Sequence, residues 1–472
     1  MPQLQRTLTL SSVIAIVIGG VIGSGIFMKP AVMALQLGSP VLLLVVWIVA
    51  GIITLFGALT NSEAAAMFPE TGGQYIFFQK MYGKGFAFLY GWAAFSVFNT
   101  AGNASIAYVC STYADYFLHL PQLEASTVER IQIHIPFIGT IYPLQNMGVK
   151  LLTVFFILLF TFINMRSVQL GAGVQRFLTA LKVMAIFVLI IGVFTSGNGS
   201  SQHLFDKLPN APTGFSLITA FMAATAGAFW AYDGWNNITF IAGEVKEPQR
   251  VIPKSLLLGL SVCIVIYALI NFAFILALPV NEMAASSFIG ADAASAIWGT
   301  TGAGLIVLLV VASTLGTTNS NVLATARVTF AMGNESKWFK GAQKVHPTFQ
   351  TPANALLFNA VWTIVLIFSG SFDMLTDMLI FVSWLFYGMS ALGVIVLRFK
   401  MKSTERPYKV WGYPFVPVVF LLFTFFFLTS TVYTDIMNYR SGSAPIINSL
   451  FGLLIAAIGI PVYLLSKQKN QS

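Results

Sequence analysis

Charge is what this sequence has least of: 9% of its 472 residues are Asp, Glu, Lys or Arg, where soluble domains carry about 25%. With 57% hydrophobic residues and a mean hydropathy of +0.81, the chain reads as a polytopic membrane protein. Cysteine is nearly absent as well. Cys110 and Cys263 both fall inside apolar runs, so they read as small packing residues and offer no disulfide framework. The four histidines, His119, His134, His203 and His346, lie outside those runs, which leaves metal catalysis at membrane depth without ligands and implies no metal and no cofactor. No low-complexity tract, soluble domain or basic aromatic-rich region is present for a nucleic-acid partner, and no effector domain for a signalling receptor.

Windows of about 20 apolar residues place twelve spans near 9–36, 41–66, 85–117, 147–165, 170–195, 214–242, 253–278, 301–331, 353–369, 373–397, 414–437 and 443–466. The third and eighth exceed a straight crossing. The first lacks the small-residue cleavage site of a leader peptide and reads as a retained helix. Net charge is +9, and its placement follows the positive-inside rule: Arg6, Lys80, Lys84, Arg166, Lys246, Arg250, Lys337, Lys340, Arg398 and Lys400 fall on one side, Arg130, Lys207 and Arg440 on the other. Both termini are therefore expected in the cytoplasm. Residues 120–146, with Pro121, Pro136 and Pro143, read as an ordered but non-helical outer segment; 279–300 read as short amphipathic outer helices.

Two spans carry helix breakers at mid-membrane. In span 1, Gly19, Gly20, Gly23 and Gly25 surround Ser24; each Gly costs about 1 kcal/mol of helix relative to Ala. The run fits either close packing through small residues or an unwound stretch whose N–H groups bind an anion. Span 6 decides for the latter, because Ala228–Asn237 interrupts it in the corresponding place and sets Asp233, Asn236 and Asn237 among aromatics. Paired interruptions point to an inverted-repeat secondary transporter with substrate bound where the broken helices meet.

The motif Gly19-x-x-Ile22-Gly23-Ser24-Gly25-Ile26-Phe27, the segment Phe68–Tyr75 after span 2, Ala231-Tyr232-Asp233-Gly234-Trp235-Asn236 in span 6 and the loop Gly243–Pro253 together resemble the amino acid/polyamine/organocation transporter superfamily. Within it they resemble the L-type amino acid transporter family, including its bacterial serine/threonine and alanine-serine-cysteine exchangers. The resemblance implies an all-α membrane fold of about twelve helices as a five-plus-five inverted repeat: spans 1–5 within 1–195, spans 6–10 within 214–397, and two appended spans within 414–466, all in one domain, 1–472. It also implies a bacterial plasma (inner) membrane location, amino-acid substrates, the lipid bilayer as surroundings and a monomer. Heavy subunits of animal relatives attach by a disulfide in the loop after span 3; residues 119–146 hold no Cys, so none is expected here.

For an amino acid, the backbone N–H groups of Gly23, Ser24 and Gly25 with the Ser24 hydroxyl fit the carboxylate, and the carbonyls of Val21, Ile22, Trp230 and Asp233 fit the ammonium, as the resemblance also assigns them; Ala231 belongs to the same unwound turn. Trp230 stands where the resemblance expects an aromatic gate, the alternative being packing or an interfacial Trp. Lys182, about 18 Å into span 5, matches a lysine that bridges span 1 to span 8 in the resembling family, with Ser313 and Thr314 as partners; a proton carrier is the alternative. Asp233 departs from the Gly of many animal members and is open to three roles: pairing with Lys182, assisting the ammonium, or bonding backbone. Asn236 fits a structural role at the turn. Gly102 with Phe95, Asn99 and Asn103 on span 3, and Tyr387 on span 10, are candidate walls, against interhelical hydrogen bonding as the alternative; the glycine and asparagines on one side favour a small neutral substrate side chain. The expected function is exchange of small neutral amino acids by alternating access, not enzymatic. Proton-coupled uptake, or exchange of cationic amino acids or polyamines, are the alternatives on the same fold.

Overall fold

The computed structural model describes residues 6–70, 72–166, 168–333, 337–349 and 351–468; the side chains of 168–180, Lys182, Ala331, 337–338 and 466–468 lie outside that description. Every expected span has a helix. Among the described residues eight helices pass as membrane-crossing by length and composition, and a ninth if the bent pair Leu10–Val21 and Gly25–Leu37 counts as one span. Those two pieces, spans 1a and 1b, meet at 46°. Gly38 (φ 60°) closes span 1b in a left-handed cap that favours glycine. One residue later Ser39 caps span 2 (Pro40–Met67), its hydroxyl accepting the Leu42 N–H at 3.5 Å, with Pro40 in the first helical position.

Span 3 runs from Lys84 to Leu118 but is not uniformly α-helical, because Ala94–Asn99 widens into a π-turn. The Thr100 hydroxyl donates to the Phe95 carbonyl there at 2.7 Å. The remaining spans are Met147–Arg166, Val168–Ser196, Gly214–Tyr232, Pro248–Ala277, the long helix Ile289–Gly333, Ala353–Ser369, Phe372–Lys400, Phe415–Arg440 and the pair Asn448–Ala457 and Gly459–Gln468. Gly299 (φ 68°, ψ −166°) kinks Ile289–Gly333, separating a short helix from span 8 proper. With Val280–Ala285, this gives short helices where 279–300 is expected to hold them. The 120–146 segment differs from expectation: it holds a short helix, Ala125–Arg130, and an antiparallel hairpin of β1 (Ile133–Ile135) and β2 (Gly139–Ile141). The hairpin is held by distant backbone, with Ile447 N–H donating to Ile138 O at 2.9 Å and Thr140 N–H to Pro445 O at 2.8 Å.

The chain divides into two compact units, each assembled from separated stretches. One comprises Met1–Tyr90, Gly199–Ser287 and Ser383–Thr431; the other comprises Gly91–Asn198, Phe288–Val382 and Val432–Ser472. The first unit holds both broken spans with spans 2 and 7. Its core is sealed at one end by a buried carboxylate. Glu63, near the end of span 2, accepts Arg398 Nε at 2.9 Å and a second bond from the Arg398 guanidinium, lies 3.3 Å from Arg406 Nε, and accepts the Val410 N–H at 2.9 Å. Arg406 also donates to the carbonyls of Leu397 and Met401 at 3.0 Å each, capping the end of span 10.

Candidate functional site where the broken spans meet

Span 1a ends at Val21. Ile22 leaves the helix (φ −67°, ψ 101°) and Ser24 opens span 1b. The start of span 1b therefore turns backbone N–H groups toward the break, at the positive end of a 13-residue dipole, with the Phe27 N–H taken by the Ser24 carbonyl at 3.0 Å. Val21, Ile22, Ser24 and Gly25 are all buried, so a ligand here would be largely withdrawn from water. Span 6 breaks in the same way: its helix ends at Tyr232, Asp233 is extended (φ −64°, ψ 158°), Gly234 turns at φ 100°, and a short helix resumes at Asn237.

Two glycines let the breaks touch. A Cβ on Gly25 would stand 2.7 Å from Ala231 Cα and 3.1 Å from the Trp230 ring; one on Gly234 would stand 2.6 Å from the Gly20 carbonyl oxygen. No side chain fits at either contact. Tyr267 of span 7 then binds both strands of the crossing, its hydroxyl 2.9 Å from the Val21 carbonyl and 2.9 Å from the Ala231 carbonyl. Its ring is held edge-on by Trp47 (5.2 Å) and Tyr232 (5.0 Å). The Val21 carbonyl, a candidate acceptor for the ammonium, is thus already engaged by Tyr267, though an oxygen with two lone pairs can accept a second bond. The Trp230 carbonyl accepts the Asp233 N–H at 3.3 Å.

Asn236 fastens the span 6 turn sideways. Its Oδ1 accepts Asn61 Nδ2 at 2.7 Å, and Asn61 Oδ1 in turn accepts the Ser390 hydroxyl at 2.7 Å, so spans 2, 6 and 10 share one buried chain of bonds. The Asp233 carboxylate accepts the Tyr387 hydroxyl at 2.7 Å, and Tyr387 packs on Trp235 with ring centroids 5.0 Å apart. Trp230 is buried at the crossing, and the Lys29 ammonium lies 5.9 Å from its ring centroid. Lys29 is 3% exposed. Gly227 packs beside it: a Cβ there would stand 3.3 Å from the Met33 side chain and 3.4 Å from Lys29 Cβ.

The sequence reading passed over Lys29, Tyr267 and Glu63. Lys29 and Glu63 had a signal, being ionisable residues within membrane-length runs; Tyr267 had none, one aromatic among many. Other candidates lie in the second unit. Gly102 faces Leu379 and Asn321 of that unit, where a Cβ would find ordinary contacts at 3.5 and 3.7 Å. Asn103 donates to the Thr325 hydroxyl at 3.0 Å. The Thr314 hydroxyl bonds back to the Val310 carbonyl at 2.8 Å, and the Ser313 carbonyl accepts from Thr317 at 3.0 Å. Phe95 lines an aromatic hollow with Phe339. The Lys182 side chain lies outside the described residues. Among the described residues no three His, Cys, Asp or Glu side chains gather as a metal site.

Donors at the start of span 1b and carbonyl acceptors at the ends of spans 1a and 6 meet beside the Trp230 ring, which brings together groups for an anion and for a cation. The chain's likenesses agree with that chemistry. The amino acid permease family model matches residues 8–456. The chain is 30% identical to the serine/threonine exchanger SteT of Bacillus subtilis (strain 168), over 99% of this chain and 98% of that one. It is 29% identical to the mouse b(0,+)-type amino acid transporter 1, over 92% of this chain and 84% of the other, and 30% identical to the mouse large neutral amino acids transporter small subunit 2, over 98% and 81%. A family match across nearly the whole length, on a multi-pass helical chain with both spans broken where the motifs sit, shows that this protein belongs to the amino acid permease family and is a transporter rather than an enzyme.

Proposed function

We propose that the protein exchanges small neutral L-amino acids across a bacterial plasma membrane by alternating access. The observation that carries this reading is the glycine-mediated crossing of spans 1 and 6, which sets the N-terminal turn of span 1b beside the end of the span 6 helix. The N–H groups of Gly23, Ser24 and Gly25 receive the carboxylate. The carbonyls of Ile22, Trp230 and Asp233, with the remaining lone pair of Val21, receive the ammonium, and Ala231 shapes the turn. Trp230 closes over the ligand and excludes water. Gly102 contributes a wall, and Tyr387 holds the Asp233 carboxylate away from free solvation. Lys182 tethers the break of span 1 to Ser313 and Thr314 of span 8. SteT is named for serine/threonine exchange, which supports small neutral substrates.

The fold is read as two inverted repeats, 1–195 and 214–397, with 414–466 appended in one membrane domain and both termini cytoplasmic. Spans 1 and 2 share a unit with spans 6 and 7, the corresponding members of the second repeat, which supports this division. The chain works alone as a monomer. One relative is named as a small subunit, but here both cysteines, Cys110 and Cys263, are fully buried and so are out of reach of an intermolecular disulfide. The test is uptake of labelled serine into proteoliposomes holding the purified chain alone. Uptake that needs internal amino acid and ignores an imposed pH gradient is expected. Uptake into empty vesicles driven by the gradient would establish proton coupling instead, and dependence on a second polypeptide would refute a self-sufficient carrier.

A further inference from the structure

The second unit contains an aromatic hollow. Its walls are Trp92 and Phe95 of span 3, Phe339 of the turn Lys337–Gln343, and Phe358, Val361 and Trp362 of span 9, around a space of about 480 Å³. Both indoles direct their N–H groups into backbone: Trp92 Nε1 donates to Ile455 O at 2.9 Å, and Trp362 Nε1 to Ser96 O, inside the π-turn, at 2.7 Å. With their polar tips occupied, they offer carbon to the hollow. Phe95 and Phe339 close the floor edge to face at 5.0 Å. The space falls in the range of roughly 300–1,000 Å³ typical of small-molecule sites, and its chemistry suits hydrocarbon.

One side is open: Phe358 is 41% and Val361 63% exposed. On a membrane-spanning helix that side meets lipid. The mouth is basic. Lys340 directly follows Phe339 and is exposed, as is Lys344 one turn later, and no Asp or Glu occurs from 337 to 369. Asn354 at the start of span 9 donates to the Gly341 carbonyl at 2.9 Å, and Gly341 lies against the Phe358 ring, so the lysine-bearing turn is fixed over the hollow's end. Basic residues at the headgroup level attract anionic lipids.

We infer that this hollow binds one acyl chain of an anionic phospholipid whose headgroup rests at Lys340 and Lys344. The site is separate from the amino-acid site and holds whichever amino acid is carried. A bound lipid braces the turn Lys337–Gln343 against span 9 and against the π-turn of span 3.

Native mass spectrometry of the purified full chain, titrated with phosphatidylglycerol and with phosphatidylcholine, tests it. One phosphatidylglycerol is expected to be retained about thirtyfold more tightly than phosphatidylcholine, from two lysines near an anionic headgroup. Val361→Trp, and the same change at Leu357, which also lines the hollow, both at exposed positions, should fill the hollow and abolish retention of both lipids. Lys340→Gln with Lys344→Gln should erase the preference while chain binding persists. Equal retention of the two lipids by the unaltered protein, or unchanged retention in both filling variants, would overturn the proposal. So would a two-chain mass that Val361→Trp splits, which would assign the hollow to a second copy. If one filling variant fails to fold, the other decides.

Discussion

Gly25 is the residue at which sequence and site meet most closely. Its lack of a side chain lets span 1b lie on Ala231, and the atom that a Cβ would strike at 2.7 Å is backbone Cα, which cannot swing aside. Gly25→Ala should therefore push the breaks apart; overpacking of this kind costs about 1–3 kcal/mol, so substrate affinity in proteoliposome competition should fall about tenfold or more. Unchanged affinity would show that the crossing does not set the site. Tyr267→Phe removes the hydroxyl shared by the Val21 and Ala231 carbonyls. Leaving buried carbonyls short of a donor costs about 1–3 kcal/mol, and turnover should drop about five- to a hundredfold with the ring packing kept. Gly25, Ser24 and Asp233 could be read from the sequence because their chemistry is local: a breaker or a charge at membrane depth is unusual wherever its partners are. Tyr267 could not, because an aromatic in an apolar helix acquires its role only from carbonyls 246 and 36 residues away. Asn236 lies between these cases, since its polarity was visible but its partner Asn61 was 175 residues distant.

Elements were legible where glycine or proline marked them. The break of span 1, the turn of span 6 and the short helices before span 8 all follow from backbone preference. The π-turn Ala94–Asn99 carries no such mark; its opened carbonyls are satisfied by Thr100 and by Trp362, the latter from another span. The hairpin Ile133–Ile141 escaped notice for a related reason, as its strands are short and its edge is completed by Ile446 and Ile447. The end of span 2 offers a direct probe of how elements are joined. Glu63 is 1% exposed on its side chain and holds Arg398, Arg406 and the Val410 N–H together. Breaking a buried pair from one side costs about 3–5 kcal/mol. Glu63→Gln should therefore lower the thermal unfolding midpoint in detergent by several degrees, and Glu63→Gln combined with Arg398→Met should recover part of the loss. A midpoint equal to that of the unaltered protein would mean the cluster is not structural.

On the scale of the whole molecule, the family match and the two breaks describe a carrier that must pass between inward- and outward-facing states. The role given to Lys182 belongs here. Lys182→Ala should reduce exchange by about an order of magnitude if the tether is lost, since a missing hydrogen-bond donor costs roughly 1–3 kcal/mol, and should change the substrate affinities at the two membrane faces by different factors. Exchange at the original rate, with the protein inserted, would leave the lysine as a packing residue. The central claim is that backbone N–H groups at the break of span 1 hold the carboxylate of an amino acid. Its most direct measurement is inhibition of serine/serine exchange in proteoliposomes by serine, by serinamide and by ethanolamine, the decarboxylated amine. Hydrogen bonds to a charged acceptor are worth about 1.5–3 kcal/mol, so serinamide and ethanolamine should inhibit about ten- to a hundredfold more weakly than serine. Equal inhibition by the amino acid and its amide would contradict the assignment of the Ser24–Gly25 turn as the carboxylate site.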